Sequence, residues 1–141
     1  MTASLQVRHN IEVAHRLSLL PGKCERIHGH SMWVTLELRG HRIDESGRLG
    51  GLDFGAIKKA FRAHLDNTYD HHLLLNGDDH LAELPLPGLR LCEGDPSTEN
   101  LAKWIAEWAH HEFIDTPSFR VQVDETHVNS AVWETNLWSP R

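Results

Sequence analysis

Long apolar runs are missing from this chain, and no stretch approaches the roughly 18 consecutive apolar residues that a membrane-spanning helix requires. The start, Met1-Thr2-Ala3-Ser4-Leu5-Gln6, has neither a basic segment nor an apolar one behind it, so a soluble, cytoplasmic protein without a secretory signal is expected. Basic charge is scarce too. The 14 Lys and Arg stand against 20 Asp and Glu, a net charge of −6, which argues against a sequence-independent nucleic-acid binder because that role needs a basic footprint. With two cysteines, Cys24 and Cys92, there is no disulfide framework, and in a reducing compartment two free thiols are expected. No repeat, linker or low-complexity tract interrupts the 141 residues, a length that fits one domain over residues 1–141 with a core of moderate size.

Histidine is abundant, at 12 residues. His28 and His30 flank Gly29, and in an extended strand residues two apart share a face, so both imidazoles can be aimed at one point. His15 supplies a third. Three neutral imidazoles with one position open suit a catalytic zinc, whereas a structural zinc is usually closed by four ligands, mostly cysteines. In a chain so rich in histidine, the same pair also fits a solvated strand face. Cys24 falls in a loop, Leu19 to Arg26, broken by Pro21-Gly22. Beside a cation the thiolate is favoured, which would make Cys24 a base suited to neutral pH. Cys92 reads as a buried, inert cysteine.

Alternating Leu5, Val7, Ile11 and Val13 predict a strand that delivers His15, and Met32, Val34, Leu36 and Leu38 predict a second that follows directly on His30. Antiparallel pairing of the two would bring His15 beside His28 and His30. Asp53 is a candidate N-cap for a helix with Phe54, Ile57, Phe61 and Leu65 on one stripe. Residues Asp66 to Pro87, broken by Gly77, Pro85 and Pro87, read as irregular. A second helix follows Asp95-Pro96-Ser97-Thr98, with Leu101, Trp104, Ile105 and Trp108 as its apolar face and the tryptophans read as core. Phe119, Val121 and Val123 predict a third strand, and Ala131 to Leu137 a fourth. The expected fold is α+β in the order ββααββ, a four-stranded antiparallel sheet with both helices on one face.

The spacing Cys24-x-x-x-His28-Gly29-His30, preceded by Ala14-His15-Arg16-Leu17, resembles the zinc-and-cysteine signature of the 6-pyruvoyltetrahydropterin synthase family. Its three-residue gap is similar to that of the 6-carboxytetrahydropterin synthase branch of queuosine biosynthesis. The resemblance implies the tunnelling fold, in which subunits join sheets into a trimeric barrel and two trimers stack into a homohexamer. It implies Zn²⁺ on His15, His28 and His30, and a proton relay in which Cys24 is joined across a subunit interface by Asp70-His71. It also implies that Glu125, in Asp124-Glu125-Thr126, anchors the pterin. Pro96-Ser97-Thr98-Glu99-Asn100-Leu101-Ala102 resembles the family's Pro-Thr-Ser-Glu-x-Leu-Ala, which makes Ser97, Thr98 and Glu99 candidate substrate contacts. Arg16, Lys23 and Arg26 are candidates for the triphosphate.

The sequence departs from the pattern at several places. Ile11 and Val13 stand where aromatics are usual, Ser97-Thr98 is reversed, the aromatic after the anchor is Trp133, and His127 stands where the branch often has a cysteine. The implied reaction converts 7,8-dihydroneopterin triphosphate to 6-carboxy-5,6,7,8-tetrahydropterin, with loss of acetaldehyde and triphosphate. Alternatives are formation of the pyruvoyl product, a zinc-bearing pterin-binding module without turnover, and a structural zinc protein.

Overall fold

The computed structural model describes residues 3–40 and 42–135. The period-two alternation of the first forty residues becomes one long hairpin. Strands β1 (Ala3–His15) and β2 (His28–Gly40) pair antiparallel from Ala3 opposite Gly40 to His15 opposite His28. β5 (Ser118–Asp124) adds to β2, and β6 (Ser130–Glu134) to β5, both antiparallel. These four strands are the antiparallel sheet expected from the sequence. Asn136 and Leu137, the end of the fourth strand as predicted, lie outside the described residues.

The sheet itself has six strands in the order β4-β3-β1-β2-β5-β6, which corrects the count of four. The stretch read as irregular contains β3 (Leu73–Asn76), parallel to the end of β1, and leads into β4 (Leu89–Cys92), parallel to β3. Leu74, Leu75 and Asn76 of β3 are all buried, so this four-residue strand is covered on both faces and has no alternation to read. The β1–β3 pairing is confined to Ala14 and His15. The outward edge of β1 from Ser4 to Asn10 therefore has no strand partner among the described residues.

Helix α1 (Phe54–Thr68) starts at Asp53, whose carboxylate accepts from the Ala56 N–H, as the sequence predicts. It buries Ile57, Phe61 and Leu65, while α2 (Thr98–Glu112) buries Leu101, Ala102, Ile105, Ala106 and Ala109. Both stripes join one core with Val7, Ile11, Val13, Met32, Val34, Leu36, Val121 and Val123 of the sheet. At about 1.5–3 kcal/mol for each fully buried large apolar side chain, this shared face holds helices and sheet together. The other face of the sheet is polar: Arg39 pairs with Glu37 and Glu134, and Arg8 lies over the Trp33 ring. No helix among the described residues is long and apolar enough to cross a membrane.

Candidate functional site

The β1–β2 register decides where the histidines go. His15 faces His28 directly and Val13 faces His30, so all three rings leave the same face at the last rungs of the ladder, the face that carries the core. Their ring centroids are 4.6–5.2 Å apart, and one ring nitrogen from each lies within 4.8 Å of the others. Gly29 permits the close approach: a Cβ there would stand 3.2 Å from the Val13 carbonyl oxygen. His15 is fully buried, and desolvation lowers its pKa below the usual 6.5 against the opposing pull of the Pro96 carbonyl.

The donor set fits a cation. Nδ1 of His15 donates to the Pro96 carbonyl at 2.7 Å, and Nδ1 of His28 donates to the Arg26 carbonyl at 2.6 Å. With both Nδ1 atoms protonated, the two Nε2 lone pairs face each other at 3.1 Å, a repulsive contact unless a positive centre lies between them. Nε2 of His30 is buried with no hydrogen-bond partner. Three imidazole nitrogens converging in this way are a ready site for zinc or another imidazole-preferring divalent ion.

A cavity of about 550 Å³ is linked to the triad through Glu125, and none of the three histidines lines it. Cys24, in a single 3-10 turn (Lys23–Glu25), lines it together with Ser97, Thr98, Glu99 and Glu125. Glu125 follows β5 directly, and its N–H donates to the Asn129 carbonyl at 3.0 Å. Its Oε2 accepts a short hydrogen bond from Thr98 Oγ1, and its Oε1 is 3.9 Å from His30 Nε2, so this carboxylate joins the triad to the cavity. Ser97 caps α2 by accepting from the Asn100 N–H at 3.2 Å.

Asp70 and His71 are not on that cavity. Asp70 Oδ1 accepts from the Glu12 N–H at 2.8 Å and Oδ2 from His71 Nδ1 at 2.7 Å, so the pair sits against the edge of β1, where His71 borders a separate groove lined also by Glu12, Gly29, Ser31 and His30 of the triad. The adjacent side chains meet because His71 has φ 58°, in the left-handed region that few non-glycine residues adopt. The bond to Asp70 raises the His71 pKa. Burial works against the Asp70 carboxylate, but the Glu12 N–H and His71 hold its pKa below the ordinary value.

Arg16, Lys23 and Arg26 together line one cavity, distinct from that of Cys24. Nε of Arg16 lies 3.0 Å from Asp79, whose side chain is fully buried, and its guanidinium also approaches Glu25 at 3.7 Å. Cys92 is half-buried on β4 and burial pushes its thiol pKa up, so it stays a protonated thiol. His127 is exposed and borders a pocket on the polar face of the sheet with Arg8 and Trp33, not the cavity of Cys24. Two features escape sequence reasoning: the ion pair of Arg16 with Asp79, and Asp95, which reads as part of a helix cap.

Over this geometry the comparisons agree. A 6-carboxy-5,6,7,8-tetrahydropterin synthase from Synechocystis sp. is 32% identical over 134 residues, covering 93% of this chain and 92% of the relative. One of the same name from Rickettsia felis is 26% identical over 100 residues, covering 67% of this chain and 71% of its own. In fold, an uncharacterized protein from Wolinella succinogenes superposes with a TM-score of 0.81 at 15% identity, over 96% of this chain and 99% of that one. The 6-pyruvoyl tetrahydropterin synthase of Plasmodium vivax superposes with a TM-score of 0.76 at 22% identity, with the same coverage. The family model for 6-pyruvoyl tetrahydropterin synthase matches residues 4–136, which takes in both the histidine ladder and Glu125, and the chain belongs to that family.

Proposed function

We propose that this protein is a zinc-dependent lyase converting 7,8-dihydroneopterin triphosphate and one water to 6-carboxy-5,6,7,8-tetrahydropterin, with release of acetaldehyde and triphosphate. Its place of action would be the cytoplasm and its product would feed 7-deazapurine synthesis such as that of queuosine. The observation that carries the reading is the convergence of His15, His28 and His30, linked through Glu125 to the cavity that Cys24 also lines. A zinc ion held by the three imidazoles would supply Lewis acidity toward the side-chain hydroxyls of the substrate.

The chain's own residues would do the rest. Glu125 would accept two parallel N–H bonds from the pterin ring and fix its orientation, with Thr98 already bonded to that carboxylate and holding it in place. Ser97 and Glu99 line the same cavity and would border the ring. Cys24 would take the proton from the first side-chain carbon, and His71, oriented by Asp70, would be its partner acid or base.

That partnership needs a neighbour, because Cys24 and His71 border different cavities of one chain. The sheet offers a way to join them. The open edge of β1 and the outer edge of β6 run antiparallel through the alternation β1-β2-β5-β6, so β6 of one copy can pair with β1 of the next and close a ring. In that arrangement Ser130, at the rim of the Cys24 cavity, lies near the end of the neighbour's β1, where Glu12 holds Asp70 and His71. A homo-oligomer of this kind, two trimers in a hexamer, is part of the proposal.

Product analysis by mass spectrometry with 7,8-dihydroneopterin triphosphate tests the reading. The 6-carboxy product with acetaldehyde supports it. Release of triphosphate with the carbon chain intact would instead assign the pyruvoyl reaction. Zinc-loaded protein that turns over no dihydropterin would be a binding module.

A further inference from the structure

Asp95 stands in the turn before α2 and makes five hydrogen bonds to three separate parts of the chain. Its Oδ1 accepts from Ser18 Oγ at 2.8 Å and Asn76 Nδ2 at 3.1 Å, and its Oδ2 from the Leu19 N–H at 2.8 Å. Its backbone carbonyl accepts from the Ser97 N–H and Asn100 Nδ2, each at 2.8 Å. One side of this hub is therefore the loop between His15 and Cys24. Another is the end of β3, where Asn76 is buried. The third is the start of α2, which supplies the Pro96 carbonyl to His15 and Thr98 to Glu125.

Arg16 anchors the base of the loop on the buried Asp79, but the tip is held by less. Leu19 and Leu20 are 78% and 51% exposed, so burial does not fix their position, and the chain closes on itself through the Leu17 N–H to the Cys24 carbonyl at 2.9 Å. The polar clasp at Asp95 is what ties this tip to the start of α2. All three side-chain partners of Asp95 are donors, a pattern a carboxylate satisfies and an amide does not, because an amide would turn an N–H against one of them.

We propose that Asp95 is a positioning residue that sets the distance between Cys24 and the wall formed by Thr98 and Glu125. This rests on the reading of Cys24 as the base and of that cavity as the substrate site. Asp95 lines that cavity, but both its carboxylate oxygens are engaged by Ser18, Asn76 and the Leu19 N–H, and its side chain bonds to none of the three histidines. It acts by holding the loop.

The test is iodoacetamide labelling of zinc-loaded protein, followed peptide by peptide, with wild-type protein labelled in parallel as the reference because Cys92 pairs with Asn76 beside Asp95. In Asp95→Asn, Cys24 is expected to label about threefold faster or more as the loop opens. With 7,8-dihydroneopterin triphosphate, kcat is expected to fall about tenfold and KM to rise, since a base displaced by a fraction of an ångström is misaligned. Simple loss of folded protein would lower kcat and leave KM alone. Asp95→Glu, which keeps the charge, is expected to recover part of both. Folded Asp95→Asn whose Cys24 labels within about twofold of wild type overturns the proposal. If circular dichroism shows that this variant does not fold, Ser18→Ala removes one of the three bonds and is read by the same rule: faster labelling of Cys24 supports the clasp and an unchanged rate overturns it. Wild-type protein without turnover would count against the lyase reading, while the labelling would still decide the role of Asp95.

Discussion

Asp70 and His71 illustrate how neighbouring side chains change what each can do. The imidazolium of His71 is stabilised first by its hydrogen bond to Asp70 and then by that charge, so its pKa lies above the ordinary 6.5 and the ring stays protonated to higher pH. Removing the charge takes this effect away. In Asp70→Asn the proton should leave at lower pH, with the titration of His71 moving back down toward 6.5, which NMR of the ring protons would follow. An unmoved titration would show that the pair does not persist in solution. The conformation at His71 adds a cost of roughly 1–3 kcal/mol that a glycine would avoid, and residues so placed cluster where an orientation is needed.

Helices α1 and α2 meet through a stack of His64 on Trp108, with ring centroids 4.3 Å apart and planes 1° from parallel. Phe61 and Phe113 extend the cluster around the same tryptophan. Desolvation, helped by the nearby Arg90, lowers the His64 pKa to about 4, whereas the unfolded chain titrates near 6.5. Between those values the unfolded state takes up a proton that the folded state refuses. The stability associated with a neutral His64 is therefore complete above 6.5 and is lost as pH falls through about 4. Thermal melts at pH 7 and pH 5 should show a drop in Tm that His64→Phe reduces; an equal drop in the variant would place the acid sensitivity elsewhere.

Elements also differ in how far the sequence disclosed them. β1, β2 and β5 each have one wet face and one buried face, so alternation exposes them, and the two helices carry their caps at Asp53 and Ser97. β3 is hidden from such reading because it is buried on both sides, and β4 because it is a four-residue edge strand behind two prolines. The meeting of His15, His28 and His30 follows from spacing plus one strand register. Asp95 was not legible, because its partners Ser18, Leu19 and Asn76 are brought to it by three different segments.

For the whole molecule, the separation of Cys24 from His71 within one chain makes a mixing experiment decisive. Homomers of Cys24→Ala and of His71→Ala should each be nearly inactive. Unfolding them together and refolding the mixture should recover about a quarter of wild-type activity, since a random neighbour pair supplies both intact residues in about one site of four. A mixture as inactive as its parents would mean that each site is built from a single chain. The edge of β1 that has no strand partner among the described residues carries a further consequence. If the neighbour that covers Ser4 to Asn10 is also the neighbour that borrows the imidazole of His71, then adhesion and turnover are one equilibrium, and activity per milligram should not be a constant of this protein. It should decline on dilution and return on concentration, without any change in zinc content.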